Sequence, residues 1–237
     1  MVSPHQRRAA RHAPSEAPTT TRKAPITADR ITDAALDIVA AEGYDALTMR
    51  NVAARLDTGP ASLYAHVVNK ADLDELLIGR LCSTITLPAP SASRWRDQLT
   101  DVCTQLRDQY LKYPGISRAA LAIDVTDLDV LRVNEGMLAI LITAGIAPQV
   151  AAWTIDALYL YVGAYALDIA VADSIPHAAD EHRLAASHRA DLVARFESLP
   201  EDRFPNIRTY AAELTSGAAH ARFDFTLALM LGSLTPQ

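Results

Sequence analysis

The chain has 237 residues, half of them apolar, and a net charge of −6. That length holds one large domain, or a small one joined to a larger, with enough apolar residues for a sizeable core. Two isolated cysteines, Cys82 and Cys103, form no C-x-x-C pair and read as core thiols of a reduced, cytoplasmic protein, with a disulfide or redox sensor as the alternative, and the acidic balance excludes a broadly basic nucleic-acid binder.

Alanine is abundant and β-signatures are few, so the composition predicts an all-α protein. Residues 1–26 carry five basic side chains against Glu16, with Pro4, Pro14, Pro18 and Pro25 scattered among them. No apolar period crosses this basic tail, which is expected to be disordered, serving either as an inert extension or as a nonspecific attraction to DNA. It has no apolar run behind it and does not read as a secretory signal. A first helix is predicted over residues 27–42, with Ile31, Ala34, Ala35, Ile38 and Val39 on one face and Gly43 at its end. Thr48 reads as the N-cap of a second helix buried by Val52, Ala53 and Leu56. After the Asp57-Thr58-Gly59 break, Leu63 and Val67 bury a third. A longer helix starts near Asn69 and turns Leu73, Leu76, Leu77 and Leu81 inward. Leu87-Pro88-Ala89-Pro90 opens a linker to about Ser93.

Beyond the linker, helices are predicted over 95–113, 116–122, 127–144, 148–172, 206–214 and 218–234, with a charged, solvated segment over 178–197. The helix near Val150 to Val171 is the most apolar stretch. Asp156 and Asp168 interrupt it, so an interhelical or dimer position is expected rather than lipid. The division is a tail over 1–26, a helix-turn-helix domain with its connecting helix over 27–87, and a helical ligand-binding and dimerisation domain over 94–237.

Two short helices around a tight break are how a helix-turn-helix lays one helix in the major groove. Candidate DNA contacts follow from position. Thr48 caps its helix while leaving amides for a phosphate. Arg50 reaches either a phosphate or a guanine edge, or is a solvated surface arginine. Thr58, Gly59, Pro60, Ala61 and Ser62 form a small-residue leading end that lets the backbone approach the groove. Tyr64 reaches phosphate or makes a local contact, and His66 reads DNA or braces the following turn. Lys70 beside the free amides of the next helix clamps phosphate, its stem not needed for packing, and Asp72 favours the same helix start through its dipole.

These residues resemble the DNA-binding domain of the TetR family of transcriptional repressors. The likeness rests on Gly43, Leu47-Thr48, Arg50, Val52-Ala53, Leu56, Leu63-Tyr64, His66-Val67, Asn69-Lys70 and Leu73, and the Leu63 to Lys70 run is closest to the tetracycline-repressor branch. Phe204-Pro205-Asn206-Ile207 and the pattern from Arg222 to Gly232 are similar to that branch's last two helices. The resemblance implies phosphate contacts for Thr48, Tyr64 and Lys70, and base reading by Arg50 and the leading face. Asp57-Thr58-Gly59, Pro60 and Ala61 depart from the family pattern, so the operator sequence does not carry over.

A short reader needs a dimer to span a palindrome. Ile155, Leu158, Tyr159, Val162, Phe225, Leu229 and Met230 are the candidate interface, or else core of one subunit. The resemblance implies two helices from each subunit in a four-helix interface. Cys103, Leu106, Tyr110, Met137, Leu141, Trp153, Tyr161 and Tyr165 supply bulk with polar tips for a cavity, with core packing as the alternative for each; Tyr161 and Tyr165 share a face at i,i+4. No match to the tetracycline-binding histidine arrangement is present, so a different, largely apolar effector is expected. His177, His182 and His188 are spaced as surface residues rather than metal ligands, and Asp124, Asp127 and Asp129 as caps. No cofactor motif, phosphate loop or nucleophile elbow appears. The expectation is a homodimeric repressor on double-stranded operator DNA, released by a small molecule. An activator or ligand-independent repressor is the alternative, and a small-molecule-processing enzyme the remote one.

Overall fold

The computed structural model describes residues 25–122, 126–174, 181–217 and 220–236, and side chains at 173, 174 and 181–188 fall outside that description. The regular elements among the described residues are α-helices and 3₁₀ turns, as the composition predicts. Helix α1 (Ala28–Glu42) starts where the Thr27 hydroxyl accepts from the Arg30 amide, and it buries Ile31, Ala34, Ala35, Ile38 and Val39 on one stripe. Gly43 ends it at φ 81°, a left-handed turn that glycine adopts without penalty, and its amide closes onto the Val39 carbonyl. A 3₁₀ turn, Tyr44–Ala46, leads to α2 (Met49–Arg55).

The third helix of the expected trio is shorter than predicted. One 3₁₀ turn, Pro60–Ser62, is followed by hydrogen-bonded turns that carry the chain to Val67, whose amide meets the Leu63 carbonyl at 3.0 Å. Proline at its start and the preceding extended Gly59 limit the turn on one side. Helix α3 (Lys70–Ser83) limits it on the other. There the Asn69 side chain accepts from the Asp72 amide at 2.9 Å while Asp72 accepts from the Val68 amide at 2.7 Å, a reciprocal cap.

Helix α3 stops at Ser83 rather than running to Leu87. Its last carbonyls are taken by other groups, Cys82 by Arg132 and Leu81 by the Thr84 hydroxyl, and Arg132 also bonds the Ile85 carbonyl just beyond the end. The strap that follows is pinned to α4 (Trp95–Lys112) by two glutamines. Gln98 bonds Ala89 and Ser91, and Gln105 bonds both backbone groups of Thr86.

Helices α5 (Ser117–Ala120), α6 (Leu128–Thr143) and α7 (Pro148–Ser174) complete the central packing. Helix α7 lies against α4, α5 and α6, and α6 lies against α3. By length and composition α7 could cross a membrane, but one of its faces is built into this bundle. The charged segment is a helix, α8 (Glu181–Glu197), packed with α9 (Pro205–Thr209) and α10 (Ala211–Leu214). The single helix expected over 206–214 divides at Tyr210, where the backbone leaves helical geometry. Helix α11 (Ala221–Gly232) packs on α4.

One continuous apolar core runs from Ile31 in α1 to Leu231 in α11. The N-terminal helices also lean on the rest through polar ties. The Tyr44 amide meets the Pro114 carbonyl at 2.9 Å and Arg118 pairs with Asp45 at 2.7 Å, while within the N-terminal part Arg80 of α3 reaches Asp29 and Asp33 of α1 at 2.7 and 2.5 Å. About 60 ordered residues are too few for a robust separate core, so such leaning is physically expected.

Candidate nucleic-acid interface and ligand cavity

Leu63 and Val67 are fully buried and fix the rotation of the turn over Pro60–His66. That rotation leaves Pro60, Ala61, Ser62, Tyr64 and His66 exposed, together with Gly59 before them and Thr48 and Arg50 across the break. The Thr48 hydroxyl accepts from the Asn51 amide at 3.1 Å, and Asn51 in turn donates to the Ala46 carbonyl at 2.7 Å. Thr58 is half-buried, and its hydroxyl donates to Ser62 at 3.1 Å, which orients the Ser62 hydroxyl at the leading end. Asp57, the first residue of the break, sits at φ 50°. The left-handed residue of this turn is therefore the aspartate and not Gly59, which is extended at φ −82°. Val68, which no sequence signal singled out, is 75% exposed beside His66.

Lys70 differs from expectation. Its ammonium is held by the Asp74 carboxylate one turn on and donates to the Tyr44 hydroxyl at 2.8 Å, with the cation 4.1 Å from the Tyr44 ring centre. Tyr44 donates to Asp74 at 2.8 Å. Burial and then the Asp74 contact push the Tyr44 hydroxyl's pKa up, so it stays a donor. The lysine ammonium is thus bonded within the subunit. Two of three ammonium donors are engaged, and one is left for an external oxygen.

A cavity of about 390 Å³ lies in the larger helical part. Ile78 and Cys82 of α3 form one wall, Tyr110 of α4 and Val130 and Asn134 of α6 others, and Ala152, Ile155, Asp156, Tyr159 and Leu160 of α7 the last. Its size and mainly apolar walls are those of a small-molecule site. Burial pushes the Cys82 thiol up to about 12 and keeps the Tyr110 and Tyr159 phenols protonated. Cys103, also raised to about 12 by burial, is free and fully enclosed. Among the described residues no three His, Cys, Asp or Glu side chains gather as a metal site. His177, His182, His188 and Asp124 lie outside the described side chains.

Residues 31–75 match the family described as bacterial regulatory proteins, tetR family, and residues 87–236 match the tetracyclin repressor-like C-terminal domain. The chain belongs to the TetR family. The apo structure of ActR from Streptomyces coelicolor is 32% identical with a TM-score of 0.77, over 88% of this chain and 94% of that one. ActR has also been crystallised with actinorhodin and with (S)-DNPA. Among curated relatives, an HTH-type transcriptional regulator of Saccharopolyspora erythraea is 31% identical over 51% of each chain. The HTH-type transcriptional repressor DrrR1 of Streptomyces coeruleorubidus is 36% identical over 40% of this chain and 35% of its own. The matched stretch thus spans about half or less of those two curated relatives.

In this TetR-family chain the exposed Thr48, Arg50, Gly59, Pro60, Ala61, Ser62, Tyr64 and His66 stand together at one end, with Thr58 tucked behind Ser62. The expected ligand set is distributed differently. Of its members only Tyr110 lines the cavity. Cys103, Leu106, Met137 and Leu141 are fully buried core, and Trp153 is 67% exposed and outside the cavity lining. Tyr161 and Tyr165 do share a face, but α11 covers it. Both rings pack on Phe223 at 5.6 and 4.9 Å, Tyr165 meets His220 at 2.9 Å, and Tyr161 donates to the Arg222 carbonyl at 3.2 Å.

The expected dimer set divides in the same way. Ile155, Leu158 and Val162 point into the subunit's own core, Tyr159 into the cavity, and Met230 is half-buried against the core. Phe225 and Leu229 are 69% and 63% exposed. On α7 the exposed large apolar residues, among those described, are Val150, Trp153, Leu160 and Val171. They follow the three-and-four spacing of a helix seam, rotated from the residues the sequence suggested.

Proposed function

We propose that this TetR-family protein is a homodimeric transcriptional repressor that holds a palindromic operator and releases it when a small, largely apolar molecule enters each subunit's cavity. One observation carries the reading. Ile78 and Cys82 in the cavity wall belong to α3, whose first residue, Lys70, is tied to Tyr44 in the reading head. A ligand that favours a different placement of α3 shifts the spacing of two heads and so the population competent for DNA. ActR, of similar fold and captured with small molecules, and DrrR1, a repressor, support it. The Leu63 to Lys70 run supports a tetracycline-repressor type of head, with Thr48, Arg50, Tyr64 and Lys70 on DNA.

The test is a footprint on the DNA flanking the protein's own gene, repeated with organic extracts of the host. A protected palindrome that is lost with a particular extract fraction is expected. Absence of any sequence-selective protection would sink the reading.

A further inference from the structure

The α7 wall of the cavity is one helix face, since Ala152, Ile155, Asp156, Tyr159 and Leu160 recur at three- and four-residue steps. Its polar groups are few and unequal. Among the described lining residues Asp156 is the one bearing a carboxyl group, and none bears an ammonium, guanidinium or imidazole. Asp156 is exposed at the solvent edge, and neither it nor Asn134 has a hydrogen-bond or ion-pair partner among the described residues. About 4.5 Å further along the helix axis, the Tyr159 hydroxyl is shut off from water with no partner. It lies near Cys82, Tyr110 and Cys103, at the deep end. An orphaned buried hydroxyl loses its hydration without compensation, so a group that pairs with it gains more than one in solvent.

We infer that the cavity selects a compact apolar amine whose cation sits at Asp156 beside Asn134 and whose buried end offers an oxygen acceptor to the Tyr159 hydroxyl. The inference rests on the cavity being the effector site. A carboxylic acid of the same shape would bring a second negative charge to Asp156 with no cation in the wall to offset it. Leu121, Val130, Ile155 and Leu160 supply the apolar contact for the body.

The experiment uses three probes with one saturated perhydroanthracene body, which does not intercalate DNA, bearing a ring ketone at one end as the acceptor for Tyr159 and an aminomethyl, a hydroxymethyl or a carboxylate group at the other. Calorimetry on the full chain reads affinity at low and high salt, and fluorescence anisotropy reads release of an operator fragment. The amine is expected to bind at least tenfold more tightly than the alcohol, with the acid weakest, and the preference is expected to shrink as salt rises. Asp156→Asn should erase the preference while leaving the alcohol unchanged, and Asp156→Glu should restore most of it; circular dichroism checks that each variant is folded. Equal affinity across the series, an undiminished preference in Asp156→Asn, or no binding by any probe overturns the inference. Asp156-dependent amine binding without operator release would instead refute the effector reading and leave the ligand chemistry standing.

Discussion

Lys70 carries two demands at once. Its family position points it at a phosphate, while the structure gives two of its donors to Asp74 and Tyr44. Asp74 is buried, and Lys70 and Tyr44 are its hydrogen-bond partners. Removing either leaves a carboxylate under-satisfied, a cost of about 1–3 kcal/mol. An ammonium has three donors, so one remains for a phosphate and the two roles are compatible. Lys70→Ala is therefore expected to lower the melting temperature and also to reduce the salt slope of operator binding by about one. Tyr44→Phe should lower the melting temperature alone, because it leaves the cation in place. Melting scans and salt titrations on both variants separate the effects. An unchanged slope in Lys70→Ala would make the lysine a purely internal brace.

The way helices cross explains both what the sequence could disclose and what it could not. The caps at Thr27, Thr48, Asn69 and Asp127 are local, as is the break at Gly43, so the starts of α1, α2, α3 and α6 are legible from the sequence alone. The exposed face of the reading head was equally legible, because Leu63 and Val67 fix its rotation. The cavity was not. Helix α7 is apolar on nearly every side, so periodicity does not say which face meets α4, which α11 and which remains uncovered. Tyr161 and Tyr165 fell under α11, and the cavity face one step around the helix went unread.

A non-local contact of the same kind sets how α6 rests on α3. A methyl group on Gly79 would come within 2.5 Å of the Asp127 carboxyl group, which is held in place by the Asp129 and Val130 amides. Gly79→Ala should thus destabilise the protein by about 1–3 kcal/mol, a few degrees in melting temperature. Adding Asp127→Ser keeps a capping oxygen on a shorter side chain and should recover part of the loss. Strict additivity of the two changes in thermal unfolding would show that the crowding is absent.

At the scale of the whole molecule, one subunit leaves an apolar surface it does not use. Trp153 and Leu160 on α7 and Phe225 and Leu229 on α11 are each more than half exposed. The opposite face of α11 is fully engaged, with Phe223, Leu227 and Leu231 buried. Exposed apolar side chains on neighbouring helices are what a second copy would cover, and a two-fold axis there would join four helices. Two heads reading a palindrome need to stand about one DNA turn, roughly 34 Å, apart, a spacing that only a fixed axis between the subunits can hold. Because the two faces of α11 are separate, the outer one can be altered while the inner one still packs. Phe225→Glu with Leu229→Glu is expected to place four carboxylates per dimer in that interface and to convert the protein to monomer in sedimentation velocity. The helical circular dichroism should persist, and operator affinity should fall by orders of magnitude, because a single head contributes only half the contacts. A stable dimer in the double variant would show that the subunits meet elsewhere and that this surface serves another partner.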